Sequence, residues 1–224
     1  MYINKILSDN IILSSLQSKY IKFLQFIDDF PEFKNKIIIY IDHKELINSN
    51  VLNQIKQLIN KNLDKSLIIR QTPLKKTNIY QEINEAKLQK RYAENMHLTI
   101  KYVKSLESLN KINCNVRICN TGLIIYINVE NIRFLINNVY NLCIKHKQPE
   151  CQIYWSIFSQ KHKDKIKEIK WTDIKNIKRE NPQKYNKKNL ENSFDTIYEK
   201  KMWTGNNKFT LSGPGSELSY AKNC

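Results

Sequence analysis

Glycine is scarce in this chain: there are four in 224 residues, and Gly122 is the only one before Gly205. The short run Ser212-Gly213-Pro214-Gly215-Ser216 is not followed by Gly-Lys-Ser/Thr, which excludes a P-loop. Arginine is also scarce. Of the 37 basic residues 5 are Arg and 32 are Lys. The net charge of +16 invites a nucleic-acid partner. Arg, however, makes the bidentate contacts to phosphate and guanine, and an excess of Lys, Asn and Ile is what an AT-rich genome encodes. A dedicated nucleic-acid surface is therefore the less favoured reading. The five cysteines are an odd number with no Cys-x-x-Cys pair, so a disulfide framework and a zinc site both lack support. His43, His97, His146 and His162 share no spacing that would suggest a metal cluster. No run of 18 apolar residues is present, and the first residues lack the basic and apolar regions of a secretory leader. The expected location is cytoplasmic.

Apolar residues make up 41% of the chain, enough for a sizeable core. Their spacing predicts a helix, or two short ones, over 11–30, ending before Pro31. The β-branched run 36–41 predicts a strand. Residues 48–62 predict an amphipathic helix with Val51, Leu52, Ile55, Leu58 and Ile59 on one face. A strand over 66–70 is closed by Pro73, and a long helical stretch over 78–105 has an apolar side beginning at Ile79, Ile83, Ala86 and Leu88. Residues 116–128 form the next strand signal. Gly122 inside it implies either a bulge with close backbone approach or a packing role. Helices over 129–145 and 149–160 and a short strand over 166–171 complete the alternation, which argues for an α/β domain. The expected organisation is an α/β domain over 1–174, a charged linker over 175–192 and a separate aromatic-containing tail over 193–224.

The segments SKYIKFLQFIDDFPEFKNKIIIYIDHK, LIIRQTPLKKTNIYQEINEA, CNTGLIIY and QPECQIYWSIF occur in an order that resembles a family of GT-A-like glycosyltransferases. That family is found in surface-polysaccharide synthesis and among plant cell-wall proteins. The resemblance covers roughly 14–170 and rests on Ser18, Lys22, Phe30, Pro31, Ile39, Asp42, Pro73, Ile79, Tyr80, Glu82 and Gln152. Lys19 stands where the pattern has Arg, Gln71 near its His, and Lys75 and Lys76 near its next Arg. Glu150 and Cys151 replace the Arg-Asp of its Arg-Asp-Gln segment. The tail segment FDTIYEKKMW, with SGPGS after it, resembles the lead-in of class I S-adenosylmethionine-dependent methyltransferases. The glycine-rich cofactor loop of those enzymes does not occur before Cys224, so this segment is not expected to hold cofactor by itself.

The first resemblance implies a GT-A-like, Rossmann-like mixed sheet flanked by helices, a nucleotide-sugar donor and a glycan or other hydroxyl acceptor. It implies a carboxylate at a strand end, here Asp42, holding a divalent cation (Mn or Mg) against the donor diphosphate. Lys44 occupies the position of a second acid, where it can serve phosphate as a point charge or be one surface lysine among many. Glu82 and Glu85, one turn apart, can point at one place, and one of them can take the proton of an acceptor hydroxyl. The alternative is two solvated acids at a helix start. Asn120 and Thr121 before Gly122 suit sugar hydroxyls, or Asn120 serves its own turn. Lys22, Tyr80 and Gln152 complete the substrate-binding set by resemblance, and Trp155 is read as core rather than as a sugar platform. The contrasting class is a basic module that binds nucleic acid or an anionic glycan through its Lys-rich stretch 161–188.

Overall fold

A computed structural model describes residues 10–42, 45–46, 48–73, 78–175 and 177–179. Helix α1 (Ile11–Tyr20) opens on Asn10, whose side-chain oxygen accepts from the N–H groups of Ile12 and Leu13. It continues through a π-helical segment, Ile21–Gln25, into α2 (Phe26–Asp28). Strand β1 (Ile38–Ile41) follows a 3-10 turn at Pro31–Phe33, then come β2 (Glu45–Leu46) and α3 (Ser49–Asn60). Next are β3 (Leu67–Gln71), α4 (Ile79–Ala86), α5 (Lys90–Ala93), α6 (Met96–Ser108), β4 (Cys119–Tyr126), α7 (Val129–Lys145), α8 (Cys151–Lys161) and β5 (Ile166–Ile169). A 3-10 turn at Trp171–Asp173 leads to β6 (Lys178–Arg179).

The main sheet has the order β1-β4-β3-β5. Its first two pairings are antiparallel, and β3 lies parallel to β5. The fold is α/β: a small mixed four-stranded sheet flanked by helices. Alternation along the strands gives the sheet two apolar faces. Ile69, Ile124 and Tyr126 join Phe23, Trp155 and the buried side of α7 in one cluster. Ile68, Leu123 and Ile125 join Val51, Ile55 and Ile59 of α3 in another. A third cluster ties α4 and α6 to Ile153 and Ile157 of α8. Trp155 is 0% exposed and packs edge-on against Phe23 at 5.7 Å, so it belongs to the core and not to a sugar-stacking surface.

The expected continuous helix is corrected. The stretch 78–105 is three helices, because Gln89 and Asn95 leave helical geometry at φ/ψ −104/124 and −106/11. The breaks let Ile83, Ala86, Tyr92 and Met96 all reach one cluster, and Leu88, expected on the apolar side, is 85% exposed. Tertiary packing here overrides a continuous helical propensity. The charged stretch after residue 174 also begins with structure, since Lys178–Arg179 pairs antiparallel with Glu45–Leu46. The remainder of that stretch and the methyltransferase-like tail lie outside the described residues.

Gly122 does lie in a bulge. Ile69 pairs with Ile124 but Arg70 pairs with Asn120, so Thr121, Gly122 and Leu123 have no partner in β3. On the other side the Gly122 carbonyl accepts from the N–H of Asp42 at 2.8 Å. A side chain at this buried position would overpack the bulge. Gly122→Val is expected to destabilise the protein by about 1–3 kcal/mol, read as a lower urea midpoint with an unchanged slope.

Candidate functional site

Alternation along β1 decides which way Asp42 faces. Ile39 and Ile41 pack with the α3 cluster, while Ile38 and Tyr40 face the opposite layer. Asp42 follows Tyr40 to that layer, where it meets the π-helical segment. A π turn adds a residue to the helical repeat and re-aims the side chains around it. Lys22 is thereby buried, at 6% exposure, instead of facing water. Its Nζ lies 3.5 Å from Asp42 Oδ1 and 4.4 Å from the centre of the Tyr40 ring. The Tyr40 hydroxyl donates to the same Asp42 oxygen at 2.7 Å.

Burial alone would raise the pKa of Asp42. The Lys22 ammonium, the Tyr40 hydroxyl and Lys19 outweigh it and hold the carboxyl below its ordinary value. Burial lowers the pKa of Lys22, and neighbouring Lys19 lowers it further against the pull of Cys151 and Asp42. Lys19 itself is raised: Cys151, Tyr92, Glu150 and Cys143 together overcome its own desolvation. Cys151, which acts on both lysines, lies in the first turn of α8.

That turn carries the rest of the site. Cys151 is buried and its Sγ lies 3.7 Å from Thr121 Oγ1, so the bulge of β4 reaches the helix start. Glu150 caps α8 by accepting from the N–H of Gln152 at 3.0 Å. The Gln152 side-chain amide donates to Glu82 Oε1 at 3.0 Å. Burial, with Glu150 and Glu85 as like charges, raises the Glu82 carboxyl to about 7, against the opposing effect of the Gln152 hydrogen bond. Lys22, Asp42, Thr121, Gln152 and Glu82 are thus joined by contacts and charge couplings around one helix start.

Other predicted residues fall elsewhere. Tyr80 donates to Glu107 of α6, which turns it away from Glu82's partners. Asn120 Oδ1 accepts from the Gly122 N–H at 2.9 Å and from Arg70 Nη2 at 3.5 Å, so it braces the bulge. Glu85 is exposed on α4. Lys44 lies outside the described residues. Lys19 and Glu150 were missed as site residues. The signal for Lys19 was its position three residues before Lys22, one helical turn away.

A divalent cation at Asp42 would share the carboxylate with Lys22 and Tyr40. Such an ion takes about six or more oxygen ligands, whereas Asp42 Oδ1 already accepts from an ammonium and a phenol. Among the described residues no three His, Cys, Asp or Glu side chains come together as a ligand set. A groove of about 430 Å³ lies between Ile27, Asp28, Pro31, Lys34, Glu130 and Arg133, none of them a predicted site residue. Its charges are satisfied internally by the pairs Arg133–Asp28 and Lys34–Glu130. Among the described residues no helix is long and apolar enough to cross a membrane. No family model matches the chain, and neither does any curated protein or solved structure.

The raised Glu82 pKa carries a stability consequence. The native state keeps the proton up to about pH 7, while the unfolded chain releases it near 4.5. The native state binds more protons in that window, so this group's contribution falls as pH rises from 4.5 toward 7. Glu82→Gln keeps the acceptor for Gln152 and removes the titration. Above pH 7 it is expected to stabilise the protein by about 1 kcal/mol, allowing for screening of a partly exposed group. Below pH 4.5 it should change little, as denaturant melts at the two pH values would show.

Proposed function

We propose that the protein is a glycosyltransferase with a GT-A-like fold, moving a sugar from a nucleotide-sugar donor to a hydroxyl acceptor. The observation that carries this reading is the convergence of Lys22, Asp42, Thr121, Gln152 and Glu82 on the start of α8 from four separate segments of the chain. Four of those are positions at which the sequence resembles the family, Thr121 lies in the similar segment CNTGLIIY, and a shared packing role does not require polar residues at all of them.

The assigned chemistry is direct displacement at the anomeric carbon. The acceptor oxygen forms the new C–O bond as the bond to the donor phosphate breaks, and the diphosphate leaves with the electron pair. Glu82 takes the acceptor proton. A carboxylate with a pKa of about 7 suits that task, since half of it is ionised at neutral pH and it is basic enough to accept. Gln152 positions Glu82 and sets its acidity. Asp42 fixes Lys22, and Thr121 offers a hydroxyl from the bulge.

Sugar release and transfer from a panel of nucleotide-sugars tests the reading. Glu82→Gln is expected to lower kcat by about 10²–10⁴-fold with the fold intact by circular dichroism. The wild-type rate should climb with pH and level off above about 7. Gln152→Ala removes a hydrogen bond that favours the ionised form, so its profile should shift to higher pH. Equal rates for wild type and Glu82→Gln would end the assignment of Glu82. No turnover of any donor would end the glycosyltransferase reading.

A further inference from the structure

We infer that the end of the sheet opposite Asp42 docks on a bilayer containing anionic lipids. Ile37, Leu63 and Phe134 enter the headgroup region, and the lysines around them meet the lipid phosphates. The inference stands independently of the glycosyltransferase reading.

Strand pairing builds this surface. Ile38 pairs with Tyr126, Leu67 with Tyr126, and Leu67 with Ile166, so the starts of β1, β3 and β5 lie together at one end of the sheet. Asp42 follows the last residue of β1, at the other end. Three segments lead into the shared end: 34–37 (KNKI), 61–65 (KNLDK) and 161–165 (KHKDK). Together they hold seven Lys and two Asp, so this end is strongly positive. The second and third are tied to each other. The Ser66 N–H donates to the Lys165 carbonyl at 2.8 Å, and Lys65 Nζ donates to the Asp164 carbonyl at 3.2 Å. Lys165 Nζ donates to Asn131 Oδ1 at 3.2 Å and lies 4.8 Å from the centre of the Phe134 ring, which joins the start of α7 to the same surface.

Apolar side chains stand open among these charges. Ile37 is 45% exposed, Leu63 62% and Phe134 47%. Large apolar groups held in water within a polar rim mark an interaction surface. Lys36, Lys61, Lys161 and Lys163 are exposed beside them. The nearby acids are partly committed, Asp64 to Lys65 at 3.1 Å and Glu130 to Lys34 at 3.2 Å. A bilayer interface accepts apolar side chains to the acyl boundary while its anionic lipids attract basic ones. Lipid phosphates move within the plane and need a point charge, not the fixed fork of Arg. The low Arg count therefore does not weigh against this partner as it does against nucleic acid.

A single-stranded nucleic acid fits less well, because its bases need open ring faces. Ile37 and Leu63 have no ring. The Phe134 ring already carries Lys165 Nζ over it, and the His162 ring stands nearly perpendicular to it at 5.8 Å. Docked in this way, the protein holds the Asp42 end of the sheet away from the bilayer.

Sedimentation of the full chain with vesicles tests the inference, using phosphatidylcholine alone and phosphatidylcholine mixed equally with phosphatidylglycerol. Capture by the mixed vesicles is expected at about 0.1 M salt, with loss at about 1 M, and none by the neutral vesicles. Leu63→Ser and Phe134→Ser should each weaken capture about tenfold at unchanged charge. Lys61→Gln and Lys163→Gln should each weaken it about fivefold. Lys87→Gln and Lys90→Gln should leave it unchanged, since they flank α5, where the Tyr92 carbonyl accepts from Gln148 Nε2 near the start of α8. Circular dichroism checks each fold, and Leu63→Ser decides if Phe134→Ser does not fold. No capture by mixed vesicles, or equal capture by neutral ones, would overturn the inference. Equal losses from the Lys87 and Lys90 changes would reduce the effect to net charge and overturn it too. So would capture that depends on lysine but is unmoved by Leu63→Ser and Phe134→Ser. Binding of a single-stranded oligouridine without capture by vesicles would replace the bilayer with nucleic acid.

Discussion

A buried ammonium group sets the terms for this half of the molecule. Removing Lys22 from water costs several kcal/mol, and the protein offsets that cost with two contacts, the Asp42 carboxylate and the face of Tyr40. Both partners come from the end of β1, so the strand must arrive in the correct register. The pairing of Ile41 with Leu123, and the bond from Asp42 N–H to the Gly122 carbonyl, supply it. A slip of one residue would send Asp42 to the apolar α3 face and leave the lysine unpaired. The ion pair and the sheet register therefore specify each other.

The bulge extends the same logic to β4. A regular antiparallel strand would match each residue of β4 to one of β3, but three residues here have no partner across that pairing. Thr121 consequently reaches Cys151 on α8, while adjacent Asn120 turns to Arg70 and the Gly122 N–H. Neighbouring residues in a strand face opposite sides, so the motif Asn-Thr-Gly cannot present both polar side chains to one ligand. Gly122 carries the tight geometry without a positive φ, so its lack of a side chain matters here through space rather than through backbone freedom.

Periodicity made the larger elements legible. The apolar stripes of α3 and α7 and the β-branched runs of β1, β3 and β4 fall close to their expected bounds, because burial on a fixed face leaves a repeating trace. Asp42 at a strand end and Gly122 at a bulge were readable for the same reason: each interrupts an apolar run. Pairings between polar groups were not readable. Nothing in the local sequence directs Tyr80 to Glu107, or Lys19 toward Glu150, since these partners are distant in sequence and share no period. The π-helical turn that buries Lys22 has no composition of its own. The breaks at Gln89 and Asn95 lack Gly and Pro and follow from how three helices share one cluster.

The most informative departure from the pattern that the sequence resembles is the pair Glu150-Cys151, which stands where that pattern has Arg-Asp. Read in sequence, it removes a phosphate-binding cation and looks like loss of a site. Placed in the fold, Glu150 is the common neighbour of the two charged halves. It attracts Lys19 on one side, and on the other it raises the Glu82 carboxyl toward neutrality. An Arg at that position would repel Lys19 and stabilise ionised Glu82, weakening it as a base. Lys in place of Arg at position 19 keeps the positive charge on the α1 side, while Glu150 puts a carboxylate at the start of α8 that raises Glu82.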